Sequence, residues 1–235
     1  MTLSNSEVKL CMDLKKTGVV IPAYNAGKTI CLLLEELIDN GFDKENIIVV
    51  DDGSRDETNK VATGLGLHVV SHKKNLGKGA ALKHGLDFAI IKGLKYIVTL
   101  DADGQHRVSE MNRFLQFKNH YDLIIGTRRV NLTQMPPLRY MVNRTTSLVI
   151  SLLSKKYVPD VQSGYRLIDL KIFEKIKLVT NNFQTESELV FRTARNGFNI
   201  GFVPITALYN SEKSYISPII DTLRFIGMAV RFLWR

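Results

Sequence analysis

Asp101-Ala-Asp103-Gly-Gln105-His106 sets two carboxylates one residue apart, with an amide and an imidazole directly behind them. Hard divalent cations take oxygen ligands and share them with substrate phosphates, so such a pair suits Mg2+ or Mn2+ held against a diphosphate. The plainer alternative is a turn, because D-x-D is common in loops. A second acidic cluster, Asp51-Asp52-Gly53-Ser54-Arg55-Asp56, offers Asp51 or Asp52 as an acceptor for a nucleobase, or else a tight turn with a helix cap. Gly77-Lys78-Gly79 opens a helix, where backbone N–H groups can approach a phosphate. Arg128 follows Gly126-Thr127 at a strand end, and Arg139, Asn143 and Arg144 fall in the first turns of another helix, where a solvated basic face is the usual fate of an arginine cluster. Glu186 and Glu188 fall in the first turn of a later helix, as dipole partners or as candidates for a general base.

These groups need a frame that brings them together. Gly18 to Pro22, Ile47 to Val50, Leu67 to Val70, Tyr96 to Leu100 and Asp122 to Ile125 read as short buried strands. Between them lie helical patterns, such as Ile30, Leu33, Leu34, Leu37 and Ile38 before Gly41. Strand and helix in alternation predict an α/β fold, a mostly parallel sheet with helices on both faces. In such sheets ligands bind beyond the carboxyl ends of the strands. Pro22-Ala23-Tyr24-Asn25, Asp51-Asp52 and Asp101-Ala-Asp103 all sit at such ends, so the polar residues converge there. Two rival nucleotide motifs are missing: the segment around Lys78 is not a Walker A loop, and Gly64-Leu-Gly66 precedes a strand and lacks the third glycine of a dinucleotide fingerprint.

The chain has 235 residues, 45% of them hydrophobic, enough for one sizeable domain. Neither a linker-like tract nor an internal repeat divides it. With 32 basic and 23 acidic residues the net charge is +9, which favours an anionic partner. The basic residues are scattered rather than set in a stripe with aromatic platforms, which argues against nucleic acid. Cys11 and Cys31 form neither a C-x-x-C pair nor a disulfide framework, the first 16 residues lack the apolar core of a signal peptide, and no stretch is apolar for the ~20 residues a spanning helix needs. The expectation is a cytosolic protein, soluble or peripheral to a membrane. Ser217-Pro218 starts a final helix whose broad apolar face, three arginines and Trp234 predict an in-plane interfacial helix or contact with a membrane partner. The expected organisation is an N-terminal extension over 1–16, a catalytic domain over 17–216 and this helix over 217–235.

Val20-Ile-Pro-Ala-Tyr-Asn25, Val50-Asp-Asp-Gly-Ser54, Asn75-Leu-Gly-Lys-Gly-Ala-Ala81, Asp101-Ala-Asp-Gly-Gln-His106, Gly126-Thr-Arg128 and Ser163-Gly-Tyr-Arg166 occur in one order. In that order the chain resembles the inverting family 2 glycosyltransferases of GT-A fold, and among them the dolichyl- or polyprenyl-phosphate sugar synthases. The resemblance implies a nucleotide-sugar donor, with Pro22, Ala23, Tyr24, Asn25 and Asp52 around base and ribose, and Lys78 and Arg166 in the binding set. It implies Asp101 at the ribose or the metal and Asp103 and Gln105 around Mg2+ or Mn2+, with Arg128, Arg139 and Arg144 receiving a polyprenyl phosphate. Lys213 falls where the family places a basic residue near the leaving diphosphate. If the acceptor is instead a saccharide or other hydroxyl, a base is required, and Glu186 or Glu188 is the candidate. A non-catalytic binding subunit of the same fold is the third possibility.

Overall fold

The computed structural model describes residues 14–128, 137–206 and 218–233. Seven strands form one sheet: β1 (Thr17–Ala23), β2 (Ile47–Asp51), β3 (His68–Ser71), β4 (Tyr96–Thr99), β5 (Leu123–Arg128), β6 (Arg166–Asp169) and β7 (Ile200–Ile205), in the order β3-β2-β1-β4-β6-β5-β7. All pairings are parallel except those of β6, which runs antiparallel to both β4 and β5. Because β6 is reversed, it begins at the edge where its neighbours end. The segment Ser163-Gly164-Tyr165 that leads into it is thereby delivered to the site edge, although it precedes a strand.

The chain winds from β1 outward through β2 and β3, then returns to the other side of β1 with β4. This reversal opens the crevice between the ends of β1 and β4 in which doubly wound sheets bind ligands. Pro22 is tolerated within β1 because Val20 already accepts from Leu100 N, so Pro22 faces the side where β4 has ended and no ladder donor is missed.

Among the described residues seven helices cover the two faces, as the strand–helix alternation predicts: α1 (Ile30–Asp39), α2 (Thr58–Gly64), α3 (Lys78–Ile91), α4 (Met111–Phe117), α5 (Pro137–Ser154), α6 (Gln184–Arg195) and α7 (Pro218–Leu233). On one face α1 contributes Ile30, Leu33, Leu34 and Leu37 beside Val19, Ile21 and Val98, with Met111 and Phe114 of α4. Burial of each such side chain stabilises the fold by about 1.5–3 kcal/mol. On the other face Ala81, Leu82 and Leu86 of α3, Ile150 of α5, Leu189 and Val190 of α6 and Phe225, Met228 and Phe232 of α7 pack on Val20, Val50 and Ile125. Both faces therefore carry a core.

Several local expectations shift. α4 is preceded by a 3-10 turn over Val108–Glu110. Ser54 does not cap α2, because its Oγ accepts from Asn25 N, while Asp56 Oδ1 takes Thr58 N at the start of that helix. The final helix starts at Pro218 as expected, and it packs Phe225, Met228 and Phe232 inward, with Phe232 stacked on Phe191 of α6 at 3.9 Å between centroids. Among the described residues no helix is long and apolar enough to cross a membrane.

Candidate active site

The loops after β1 and β2 are clamped to each other. Asn25, in the left-handed region at φ 51°, donates its N–H to Ser54 Oγ at 2.9 Å and accepts Arg55 N on its Oδ1 at 2.9 Å. Ala26 N donates to Thr58 Oγ1 at 2.8 Å, and Gly27 N to Asp56 Oδ2 at 2.8 Å. Asn25, expected to bind donor, thus has its side-chain oxygen engaged in fixing the loop. The clamp bounds a cleft of about 270 Å3 lined by Tyr24, Asp51, Ser54, Arg55, His72 and Lys74, among others.

The two adjacent aspartates are both buried and both hydrogen-bonded, but only Asp51 lines the cleft. Asp52, assigned to base and ribose, is 2% exposed: its Oδ1 accepts Leu76 N at 2.8 Å and contacts His72 Nδ1 at 2.7 Å, and its Oδ2 accepts Gly77 N at 2.9 Å. A carboxylate so engaged anchors the β3–α3 loop and has little left for a ligand. Asp51 is the one that lines the cleft, held by Ser54 N and Asn59 Nδ2. Strand alternation makes neighbouring side chains face opposite ways, but the sequence does not say which of the two faces the ligand. His72, unassigned from sequence, joins the anchor, and its Nε2 lies 2.7 Å from His84 Nδ1 on α3.

At the end of β4 the loop is positioned from three sides. Thr29 Oγ1 donates to Ala102 O at 2.6 Å, Thr99 Oγ1 donates to Gly164 O at 2.6 Å, and Gln105 N donates to Asp103 Oδ1 at 3.0 Å. A Cβ on Gly164 would stand 2.5 Å from Asp101 Oδ1, so a glycine is required where this segment passes the carboxylate. Lys78, in the first turn of α3, places its ammonium 2.7 Å from Asp101 Oδ1 and 3.0 Å from Glu186 Oε1. Burial works against the Lys78 charge, but the two carboxylates reverse this and raise its pKa well above the usual lysine range. Burial likewise pushes the Asp101 carboxyl up, and Lys78, aided by His106 and Arg128, more than offsets it and holds Asp101 below the usual range. Burial pulls the His106 imidazole down to about 4, against the pull of Asp101. His106 is neutral near pH 7, packs on Tyr165 at 5.2 Å and leaves its Nδ1 buried without a hydrogen-bond partner.

The two glutamates are told apart by their contacts. Glu188 accepts Val179 N, Thr180 N, Thr180 Oγ1 and Arg192 Nε, which makes it a fastener for the turn before α6. Glu186 faces the site through Lys78. Arg166, expected to bind substrate, is instead 1% exposed and donates to three backbone carbonyls, those of Ser163, Glu186 and Val161. It ties β6 to α6 and is removed from the binding set. Arg128 is held by Asp160, with Nε to Oδ2 at 2.8 Å and an Nη to Oδ1 at 2.9 Å, and Asn143 Nδ2 completes the group at 3.2 Å. Asp160 had no assigned role; it lies 32 residues from Arg128, and no local spacing rule pairs them. Arg144 is exposed on α5, Arg139 sits in the first turn of that helix with its side chain outside the described set, and Lys213 lies outside the described residues.

Among the described residues no group of three or more His, Cys, Asp or Glu side chains is placed to hold a metal ion. Asp101, Asp103 and the Gln105 amide nevertheless share one loop and are all hard oxygen donors. The Lys78 ammonium against Asp101 shows that this position favours positive charge. The donor set therefore fits a hard divalent cation that completes its shell with phosphate and water oxygens.

A mostly parallel sheet gathers polar groups at its carboxyl edge, with a cleft beside an acidic loop and basic residues beyond it, where α/β sheets bind their ligands. Residues 18–177 match the family model described as Glycosyl transferase family 2, and the chain belongs to that family. It is a glycosyltransferase. It is similar to the polyprenol monophosphomannose synthase of Mycolicibacterium smegmatis, with 31% identity over 82% of this chain and 77% of that one. It is also similar to the UDP-N-acetylglucosamine–dolichyl-phosphate N-acetylglucosaminyltransferase of Methanococcus voltae, with 32% identity over 81% of this chain and 85% of that one. The fold is that of glucosyl-3-phosphoglycerate synthase from Mycobacterium tuberculosis, solved with Mn2+, uridine diphosphate and phosphoglyceric acid. The two superpose with a TM-score of 0.72 at 19% identity, covering 99% of this chain and 82% of that one.

Proposed function

We propose that this glycosyltransferase moves a sugar from a nucleoside-diphosphate donor to a polyprenyl phosphate, with inversion, at a membrane surface. The observation that carries this reading is the engagement of Glu186, whose carboxylate already accepts the Lys78 ammonium. A neutral hydroxyl acceptor needs a base to take its proton, whereas a lipid phosphate is anionic near neutrality and attacks without one. The relatives whose names specify polyprenol and dolichyl-phosphate acceptors support the same class.

In this account Tyr24 and Asp51, with Pro22 and Ala23 at the end of β1, receive base and ribose, and Asp101, Asp103 and Gln105 hold Mg2+ or Mn2+. Such a cation supplies charge stabilisation to the departing diphosphate. Lys78 and Lys213 add positive charge at the same group as its negative charge develops. Arg144 and Arg139 attract the lipid phosphate, and Arg128, fixed by Asp160, orients it. One phosphate oxygen bonds to the anomeric carbon while the bond from that carbon to the diphosphate oxygen breaks. The nucleoside diphosphate leaves with the electron pair.

The membrane part of the proposal rests on α5 and α7. Met141, Leu148 and Leu152 form an exposed stripe on α5, and Leu223, Ile226 and Val230 another on α7, flanked by Arg144, Arg224 and Arg231. Apolar stripes rimmed by arginines suit an interface of anionic lipid.

The test is to incubate the full chain with UDP-N-acetylglucosamine, UDP-glucose or GDP-mannose and a short prenyl phosphate, and to seek the sugar-phospho-prenyl product by mass spectrometry. Product with one donor is expected. Its absence with every donor, or transfer to phosphoglycerate in its place, sinks the proposal.

A further inference from the structure

Lys78 stands in an unfavourable place for a cation. It occupies the first turn of α3, where the helix dipole repels positive charge, and two carboxylates from other elements hold it there. The backbone around it is fixed: Gly79 lies so close to Thr185 that no Cβ fits, and Gly77 adopts φ 102° against Asn181 O. The Asp101 carboxylate is confined in turn by Gly164. Of the trio, Lys78 has the longest side chain, with a compact point charge on a four-carbon stem.

We propose that Lys78 is an internal counter-cation that competes with a divalent ion for Asp101, so that the ion binds strongly only together with a nucleoside diphosphate. The inference rests on the reading that Asp101, Asp103 and Gln105 face such an ion. With Lys78 in place the cluster of Asp101, Glu186 and Lys78 carries a net charge of about −1, by full ionisation of each group. A dication on Asp101 faces the Lys78 ammonium, which already holds Oδ1 of that carboxylate at 2.7 Å. An incoming diphosphate offers that ammonium a new anionic partner while Glu186 keeps hold of it, and Asp101 is released to the metal. Coupling of this kind is reciprocal, since each ligand raises the affinity of the other by the same factor. Lys78 is in this sense a positioning residue for the order of binding, and it deters occupation of the site by free metal.

The test uses Mn2+ alone, with free ion read by electron paramagnetic resonance, on the full-length wild type and on Lys78→Met, Lys78→Gln and Lys78→Arg. The wild type and Lys78→Arg are expected to bind Mn2+ weakly, and Lys78→Met at least tenfold more tightly. Lys78→Gln keeps a hydrogen-bond donor for Asp101 and guards against a fold lost to unpaired carboxylates; it is expected to behave as Lys78→Met. Adding UDP or GDP is expected to bring the wild type toward the variants. Equal Mn2+ affinity of wild type, Lys78→Met and Lys78→Gln overturns the competition while leaving the metal reading intact. No Mn2+ bound by any of them, even with nucleotide, overturns both.

Discussion

The nucleotide side and the acceptor side of the sheet edge are held in different ways. Around Tyr24 and Asp51 the loops are fastened by hydrogen bonds donated by backbone N–H groups: Asn25 to Ser54, Arg55 to Asn25, Ala26 to Thr58 and Gly27 to the Asp56 carboxylate. Around Asp101 and Arg128 ion pairs do the fastening, Lys78 with Asp101 and Glu186 and Arg128 with Asp160, beside an Arg166 guanidinium that donates to three backbone carbonyls. A network of backbone donors sets the shape of a cleft. Buried ion pairs place charge at chosen points, and each is costly to break on one side.

The largest expected effect is on chemistry. Asp103→Ala should lower transfer by roughly 10²–10⁴-fold, the scale of removing a group that stabilises transition-state charge, with a thermal midpoint close to wild type. Retained transfer would place the dication elsewhere and weaken the contrast between the two sides.

The next effect is on stability. Asp160→Ala should destabilise by about 3–5 kcal/mol, because it removes the carboxylate that accepts two N–H groups of the buried Arg128 guanidinium. Burial pushes the Asp160 carboxyl up, but Arg128 holds it below the usual range. The folded pKa therefore lies below the unfolded value of about 3.9, so the contribution is fully present above pH ~4 and is lost as pH falls through the folded value. Denaturant melts should show a flatter acid limb in Asp160→Asn than in wild type below pH ~4. Parallel limbs would mean that the pair does not govern stability there.

A third comparison separates the two glutamates. Glu188→Gln should cost about 1–3 kcal/mol of stability, because the carboxylate accepts from two backbone N–H groups, a hydroxyl and Arg192. Glu186→Gln should act mainly on transfer through Lys78. Similar profiles for both would erase the distinction.

The smallest effect concerns the surface. Leu152→Asp with Leu223→Asp should reduce flotation with anionic liposomes several-fold and change stability by about 0.5 kcal/mol or less, as for exposed positions generally. Unchanged flotation would detach α5 and α7 from membrane contact.

Much of the frame was legible in the sequence. Apolar runs ending in polar loops gave the parallel strands, helical spacing gave α1, and Ser217-Pro218 marked the start of α7. What stayed hidden depends on direction and on long-range pairing. Period-two alternation separates Asp51 from Asp52 without saying which faces the cleft. The antiparallel insertion of β6 is invisible to local pattern, yet it brings Gly164 against Asp101 and sends Arg166 into the core. Arg128 and Arg166 have the composition of phosphate ligands, but each is matched by partners that propensity and spacing cannot reveal. Motifs located the loops correctly, and packing decided which atoms within them remain available.

The most direct measurement compares a short prenyl phosphate with the matching prenyl alcohol in one assay, under the same donor, metal and detergent. The account predicts sugar transfer to the phosphate and none to the alcohol, since Glu186 is engaged by Lys78 and no base is required for the phosphate. Transfer to the alcohol at a comparable rate would contradict it.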